Sequence, residues 1–332
     1  QLVDHVLGED LLLALGARLQ AAPVLGITAE EPAPTIARLL QERLPEELAP
    51  EVRAFADTSS LRDAVSAGDI DIAFLEEPLD GISGVTVIAE LYPSVLHVLV
   101  RNGAAGADLG SLLASGPIWA GAHGGTGHHL AMQLAADYGV EKIDVLPDPW
   151  SDDPGVYFIF GGLLGNDALS RLHGFRLYSL GDPGAVSGGR VAEGVVLRYP
   201  NLRAFLLPAE VYPALAREPI LTLAVKTLLV ARQDLDPDMV YELAMAVGRL
   251  EPAIAAASPL AGVAELGRSH QAPRVLPWHP GAQRYIDREL PSFIERYAEF
   301  MGAAATITIA LVSFGVAIYR RRRQARKLSL IH

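Results

Sequence analysis

Two apolar stretches, Val95–Val100 (VLHVLV) and Leu221–Val230 (LTLAVKTLLV), decide the fold of this chain. Both are rich in Val and Leu and have the composition of strands that are buried on both faces. Around them, shorter apolar runs alternate with amphipathic stretches, which is typical of β-α-β architecture. We therefore predict that the chain leaves a first α/β lobe near residues 97–101, builds a second lobe, and returns near residues 220–225.

This reading divides the body of the chain into two lobes. Lobe I takes residues 22–97 and 221–290, and lobe II takes residues 98–220, with residues 1–21 as an N-terminal segment. The length of 332 residues suits such a division. We expect a mainly parallel sheet, and between the lobes a cleft of the kind in which small ligands bind.

The net charge of −12 is distributed unevenly along the chain. The segment Arg320–Lys327 carries six positive charges, and without it the chain has 21 basic against 39 acidic groups, or −18. Such an acid excess argues against a nucleic-acid partner, because nucleic acids are bound by basic surfaces. The absence of cysteine excludes disulfides and thiolate chemistry.

A membrane span is predicted at Phe300–Tyr319, which is 20 residues without a charge. A helix of that length covers roughly 30 Å, the thickness of a bilayer core. The residues Arg320, Arg321, Arg322 and Arg323 follow at once and should stay in the cytoplasm. We therefore expect a single-pass protein of the bacterial cytoplasmic membrane. Its body is periplasmic, residues 291–299 are juxtamembrane, and residues 320–332 form a cytoplasmic tail.

Small residues lie on one face of the predicted span, namely Gly302, Thr306, Ala310 and Ala317. Small side chains at such spacing allow a second helix to approach closely. The alternative is that Gly and Ala are simply frequent in this sequence. The first interpretation predicts an integral membrane partner protein that contacts this helix.

Several stretches in the body together resemble one family of transport receptors. They are Ala67–Phe74 (AGDIDIAF), Glu90–Arg101 (ELYPSVLHVLVR), Gly121–Gly127 (GAHGGTG), Tyr157–Leu169 (YFIFGGLLGNDAL), Leu221–Arg232 (LTLAVKTLLVAR) and Trp278–Tyr285 (WHPGAQRY). In order and spacing, the chain resembles the TAXI branch of solute receptors for TRAP transporters over roughly residues 22–290.

The resemblance implies a type II periplasmic-binding-protein fold, in which two α/β lobes close on a small anionic solute such as an amino acid or dicarboxylate. Such a receptor passes its solute to a separate membrane permease. The matched segments place these ligand-binding candidates at the cleft: Glu76, Tyr92, Gly124, Gly125, Thr126, Gly127, Phe158, Gly161 and Gly162. For Phe158 a core position is an equal alternative, by strand alternation.

Two loops depart from the family pattern. Where the family has a Gly-rich turn before a helix, this chain has Ala29–Pro34 (AEEPAP), and Glu30 and Glu31 would repel an anion at that helix start. In the second loop, Thr126 stands where the family supplies further hydroxyls. We interpret Thr126 as a helix N-cap, with a ligand-binding hydroxyl as the alternative.

No pattern in the sequence supports catalysis, a cofactor or a metal site. His123, His128 and His129 are close in sequence, and His279 could approach them, but His128 and His129 are adjacent and do not converge as ligands at i and i+4 would. We therefore expect a binding protein and not an enzyme.

Two functions remain open on the sequence alone. In the first, the chain is a membrane-tethered solute receptor of TAXI type. In the second, it keeps the fold, has lost solute capture through the change at residues 30–34, and serves as an accessory subunit of a membrane complex.

Overall fold

The computed structural model describes residues 22–29, 32–79, 81–104, 108–121, 123–147, 154–184, 190–258, 260, 275–288, 306–309 and 311–318. The chain divides into two compact units, Gln1–Tyr285 and Ile286–His332. The first of these includes both predicted lobes, apart from residues 286–290 of lobe I.

The strands are β1 (Val24–Thr28), β2 (Glu51–Phe55), β3 (Ile72–Glu76), β4 (Val85–Arg101), β5 (Ile118–Trp119), β6 (Val156–Gly161), β7 (Phe175–Leu177), β8 (Arg203–Leu207) and β9 (Ile220–Arg232). The helices are α1 (Ala33–Arg43), α2 (Thr58–Ala67), α3 (Leu109–Ala114), α4 (Thr126–Asp137), α5 (Asn166–Arg171), α6 (Arg190–Arg198), α7 (Pro237–Arg249), α8 (Glu251–Ala257) and α9 (Pro280–Asp287). Short 3-10 turns lie at Asn102–Ala104 and Ala209–Val211.

One long antiparallel pair, β4 and β9, connects the two lobes. The main path of the sheet is β2-β1-β3-β9-β4-β6-β5, with β7 paired to β4 and β8 to β9. The pairing of β4 with β9 runs from Val85 opposite Arg232 to Val95 opposite Ala224. Beyond Val95, β4 pairs with β6 and β7 of lobe II. The two predicted passages between the lobes are therefore neighbouring strands in one sheet.

The expectation of a mainly parallel sheet is wrong. Parallel pairing occurs between β1 and β2, β1 and β3, and β5 and β6. The strand β9 lies between β3 and β4 and runs antiparallel to both. Because both lobes are built on this returning strand, the sheet is mixed.

Each lobe has its own apolar core, formed by helices that cover the sheet. In lobe I, Ile36 and Leu40 of α1 pack with Val240 and Leu243 of α7. In lobe II, Leu130 of α4 belongs to the core that contains much of β4 and β6. These cores hold the sheet edges and helix starts between the lobes in fixed positions.

Helix α7 begins with a side-chain cap and a proline. The N-cap is Asp236, whose carboxylate accepts a hydrogen bond from the backbone N–H of Asp238, and Pro237 is the first helical residue. Since proline lacks the N–H that a first-turn residue leaves unpaired, this position tolerates it.

The structure describes only part of the predicted membrane span. Residues 306–309 and 311–318 are helical, and Thr306 and Ala317 of the small-residue face are exposed. Within the described ranges, no helix combines the length and the apolar character needed to cross a bilayer. Gly302, Ala310 and Arg320–Arg323 lie outside the described residues, so the span and its orientation stay predictions.

Candidate ligand-binding cleft

A narrow cavity of about 50 Å³ lies between the two lobes. A cavity needs roughly 10–15 Å³ to hold one water molecule, so this space suits a few waters or one small chemical group. Lobe I contributes the ends of β1 and β3, the starts of α1 and α2, and parts of β4 and β9. Lobe II contributes the Gly-rich turn before α4 and the end of β6. The lining residues are Thr28, Pro32, Ala33, Thr58, Phe74, Leu75, Glu76, Tyr92, Ser94, Gly121, Gly125, Thr126, Gly127, Phe160, Gly161 and Thr227.

Most of the predicted ligand-binding residues meet at this cavity. Those that line it are Glu76, Tyr92, Gly125, Thr126, Gly127 and Gly161. Gly124 lies next to it in the same turn, and Gly162 lines a neighbouring cavity.

The structure corrects the placement of Phe158 among the ligand-binding residues. Its side chain is fully buried in the core of lobe II and lines neither cavity. Phe160, two residues nearer the end of β6, reaches the cleft. The core alternative for Phe158 is therefore the one that the structure supports.

The interpretation of Thr126 as an N-cap is wrong. Gly125 occupies the N-cap position in extended conformation, and Thr126 is the first residue of α4. Thr126 is buried and lines the cavity. Thr126 is thus among the residues of the cleft, as the alternative of a ligand contact requires.

Three helices begin at the cleft, and they differ in how their first turns are occupied. At α2, Asp57 caps the helix and accepts a 2.7 Å hydrogen bond from the N–H of Ser60. At α1, Pro32 is the N-cap and Pro34 lies in the first turn, so N–H donors are few. At α4, Gly125 makes no side-chain cap hydrogen bond. A first turn in this state attracts anions through its N–H groups and its partial positive charge.

Close backbone packing holds the start of α4 in place. A Cβ atom at Gly127 would lie 2.9 Å from the carbonyl oxygen of Ala120 and 3.3 Å from that of Phe158. Gly124 has a φ of +74°, and a Cβ there would lie 2.9 Å from the Cβ of Ser59 on α2. Glycine at these two positions therefore lets the turn pack against both the sheet and lobe I.

Polar side chains from lobe I face this turn across the cavity. Glu76 ends β3, and Tyr92 lies on β4. Ser94 and Thr227 are buried on adjacent strands, with hydroxyl oxygens 2.8 Å apart. The cleft therefore combines N–H donors on lobe II with a carboxylate and hydroxyls on lobe I. Glu30 and Glu31, which we expect to repel an anion, lie outside the described residues.

Ser94 and Thr227 escaped the sequence analysis, although a signal was present. Each is a hydroxyl residue within a strand that is otherwise largely apolar and buried. A polar side chain in such a strand needs a partner, so pairing across two strands would have been a fair expectation.

A second, larger cavity of about 790 Å³ adjoins the first. The two share Gly121, Phe160 and Gly161 as lining residues. The remaining lining residues are Ala56, Asp57, Trp119, His123, His128, Val145, Leu146, Pro147, Ile159, Gly162, Leu163, Leu164, Gly165 and Ala168. Most of these are on lobe II, and most of their side chains are apolar.

The histidines that were considered as metal ligands are divided between two places. His123 and His128 line the larger cavity with ring centroids 5.0 Å apart. Burial, followed by the charges of His123 and His129, lowers the pKa of His128 below its usual value. His279 is buried in lobe I, where Nε2 lies 3.1 Å from the carbonyl oxygen of Leu235. Across the described part of the chain, no three His, Cys, Asp or Glu side chains are grouped as a metal site would require.

Comparison with known proteins finds one family model that matches part of the chain and solved structures that align with most of it. A model of the NMT1-like family matches residues 187–288, which include α6 to α9. Among solved structures, EhuB in complex with hydroxyectoine aligns with a TM-score of 0.49 and 17% identity, over 74% of this chain and 93% of that one. No curated protein matches the chain.

Two further solved structures align in the same way. The GluR0 ligand-binding core from Nostoc punctiforme, in complex with L-glutamate, aligns with a TM-score of 0.44 and 8% identity, over 70% of this chain and 93% of that one. A histidine kinase sensor domain with similarity to periplasmic binding proteins aligns with a TM-score of 0.45 and 12% identity, over 72% and 95%.

Proposed function

We propose that this chain is a solute-binding protein that captures a small anionic solute between its two lobes without chemically changing it. One observation carries the proposal. The first turn of α4, without a side-chain cap, faces a cavity between the lobes that several hydroxyl-bearing residues also line. An anionic group of the solute would accept hydrogen bonds from that turn, and Thr126 would add its hydroxyl.

The strands that connect the lobes suit a protein that opens and closes. The long strands β4 and β9 run through both lobes, and hydrogen bonds also join the lobes. One of these joins the guanidinium of Arg62 on α2 to the carbonyl oxygen of Gly124, at 3.4 Å. A solute that contacts both lobes would stabilise the closed arrangement by its differential affinity for it.

The cellular setting is part of the same proposal. We place the body in the periplasm of a bacterium, with residues 300–319 as a tether in the cytoplasmic membrane. The solute would then pass to an integral membrane partner that contacts the tether, as the resemblance to TAXI receptors implies.

Isothermal titration calorimetry of the full chain in lipid nanodiscs tests solute capture. The probes are L-glutamate, succinate, propanoate and 3-phenylpropanoate, with empty nanodiscs as the blank. The informative variant is Gly125→Asp, because aspartate at an N-cap stabilises a helix while its carboxylate occupies the N–H groups that the solute needs. We expect Gly125→Asp to keep or raise the melting temperature and to weaken binding at least about ten-fold.

The control is Gly125→Ala, which adds a methyl group at the same position without an acceptor. Equal weakening in both variants would show that bulk, not the occupied helix start, is responsible, and would contradict the proposal. If no anion binds the unaltered chain, solute capture fails as a function. Copurification with stoichiometric membrane partners would then favour the accessory role.

A further inference from the structure

We propose that the solute is an amphipathic acid, with its anionic group in the cleft at the start of α4 and an apolar body, preferably a ring, in the 790 Å³ cavity on lobe II. This inference rests on the proposed function and names the class of solute. The 50 Å³ space at α4 can hold the anionic head group of a solute but little more. The rest of the solute therefore needs a second space.

The larger cavity has the size and the position to hold the remainder. Ligand sites commonly enclose roughly 300–1,000 Å³, and this cavity falls within that range. Gly121 and Gly161 stand in the wall that it shares with the cleft. Because glycine has no side chain, these two residues contribute only backbone to the shared lining, and Phe160 is its third member.

The lining of the larger cavity selects for apolar surface. Trp119 and Phe160 supply ring faces or edges against which another ring can pack, while Leu163, Leu164 and Ile159 supply aliphatic surface. Transfer of an apolar body from water into this cavity would lower its free energy. A second carboxylate would lose its hydration, and among the described lining residues it would meet no Lys or Arg.

The few polar groups in that lining strengthen the selection. Asp57 lies at its edge and carries a negative charge, which would repel a second acidic group of the solute. His128 is partly buried there beside His123, and its imidazole can exchange a hydrogen bond with a hydroxyl on the apolar body. The arrangement therefore favours monoacids with a ring over dicarboxylates.

The test compares acids with and without a ring in the calorimetric experiment described above. We expect 3-phenylpropanoate to bind at least about ten-fold more tightly than propanoate, whose affinity is read by competition, because burial of a ring contributes more than a tenfold change in binding requires. Ala168→Phe, which fills the larger cavity, should weaken 3-phenylpropanoate by at least about ten-fold and change propanoate by less than about two-fold.

Ser170→Phe is the matched control, since Ser170 lies on the exposed side of the same helix, α5. Leu163→Gln tests the same wall with a polar group, in case Ala168→Phe fails to fold. If glutamate or succinate binds but the ring gives no gain, the inference is wrong and the proposed function stands. If Ala168→Phe and Leu163→Gln leave the gain intact, the ring lies elsewhere and the inference is also wrong. If none of the acids binds, the proposed function itself fails.

Discussion

At the scale of single residues, His97 has an ionisable side chain that the fold keeps neutral. It is fully buried on β4, with Nε2 3.1 Å from the hydroxyl oxygen of Tyr212. The N–H of Leu164 donates to that same oxygen at 2.6 Å. Burial lowers the pKa of His97 to about 4. This network joins the centre of lobe II to the loop that lines the larger cavity.

The network predicts how stability depends on pH. The unfolded histidine has a pKa near 6.5, so between about pH 6.5 and 4 the unfolded chain binds a proton that the folded chain does not. The free energy of unfolding should therefore fall with decreasing pH across this window, by an order of 3 kcal/mol from this residue. Urea unfolding at several pH values measures it.

Two variants separate this effect from the titration of carboxylates in the same range. His97→Gln should lose the added pH dependence, even if it is less stable throughout. His173→Gln, at an exposed position, should keep it. Identical pH profiles for the unaltered chain and His97→Gln would show that His97 does not contribute.

Local patterns in the sequence predicted the positions of some site residues and not of others. The turn at Gly124–Gly127 could be predicted because glycine adopts turn conformations that other residues avoid, and an amphipathic helix follows. Phe158 and Thr126 could not be assigned to the core or to the cleft from the sequence. Which of the two a residue faces depends on what packs against it. The N-cap of α4 is Gly125, one residue before the predicted N-cap Thr126.

At the scale of elements, α2 carries a negative charge at a helix start that faces the proposed solute. Asp57 accepts hydrogen bonds from the N–H of Ser60 at 2.7 Å and from its hydroxyl at 2.9 Å. The backbone hydrogen bond from Ser60, followed by its hydroxyl, lowers the pKa of Asp57. Asp57 is therefore ionised at neutral pH and cancels the attraction that α2 would otherwise exert on an anion.

Asp57→Asn should bind an anionic solute more tightly. The amide oxygen can still cap α2, so the free energy of unfolding should change by only a few tenths of a kcal/mol. Removal of the charge should raise affinity for 3-phenylpropanoate roughly two- to five-fold, an effect that added salt reduces. Calorimetry at low and high salt measures both.

Asp63→Asn provides the comparison on the same helix, because Asp63 is exposed and does not line either cavity. It should leave affinity unchanged. An equal increase in both variants would point to net charge and not to the helix start, and no increase in Asp57→Asn would place the anion away from α2.

The elements also show where periodicity stops being informative. Val95–Val100 was predicted as a strand, yet β4 spans Val85–Arg101. Its first half contains Glu90 and Pro93 and has register shifts at two places, which disrupt strict alternation. Similarly, the larger cavity draws on residues from 56 to 168. Only the tertiary packing brings these together, so no local pattern could reveal it.

At the scale of the whole molecule, the charge of the chain separates by predicted compartment. The acidic body, the uncharged stretch and the basic tail follow one another in sequence. If the basic tail stays in the cytoplasm, the body must lie on the other side of the membrane. The proposed capture of a solute from the periplasm depends on this arrangement, so orientation is the property to measure.

The absence of cysteine makes that measurement direct, because a single introduced cysteine is the only thiol in the chain. Ser66→Cys places it on an exposed position of α2, and Ser329→Cys places it in the tail. In intact spheroplasts, a membrane-impermeant maleimide should label Ser66→Cys and leave Ser329→Cys unlabelled until the cells are lysed. Replacement of Arg320–Arg323 by glutamine should expose part of the Ser329→Cys population, since these charges set the orientation. Labelling of Ser329→Cys in intact spheroplasts with the arginines present, or protection of Ser66→Cys, would contradict a periplasmic body and with it the proposed route of the solute.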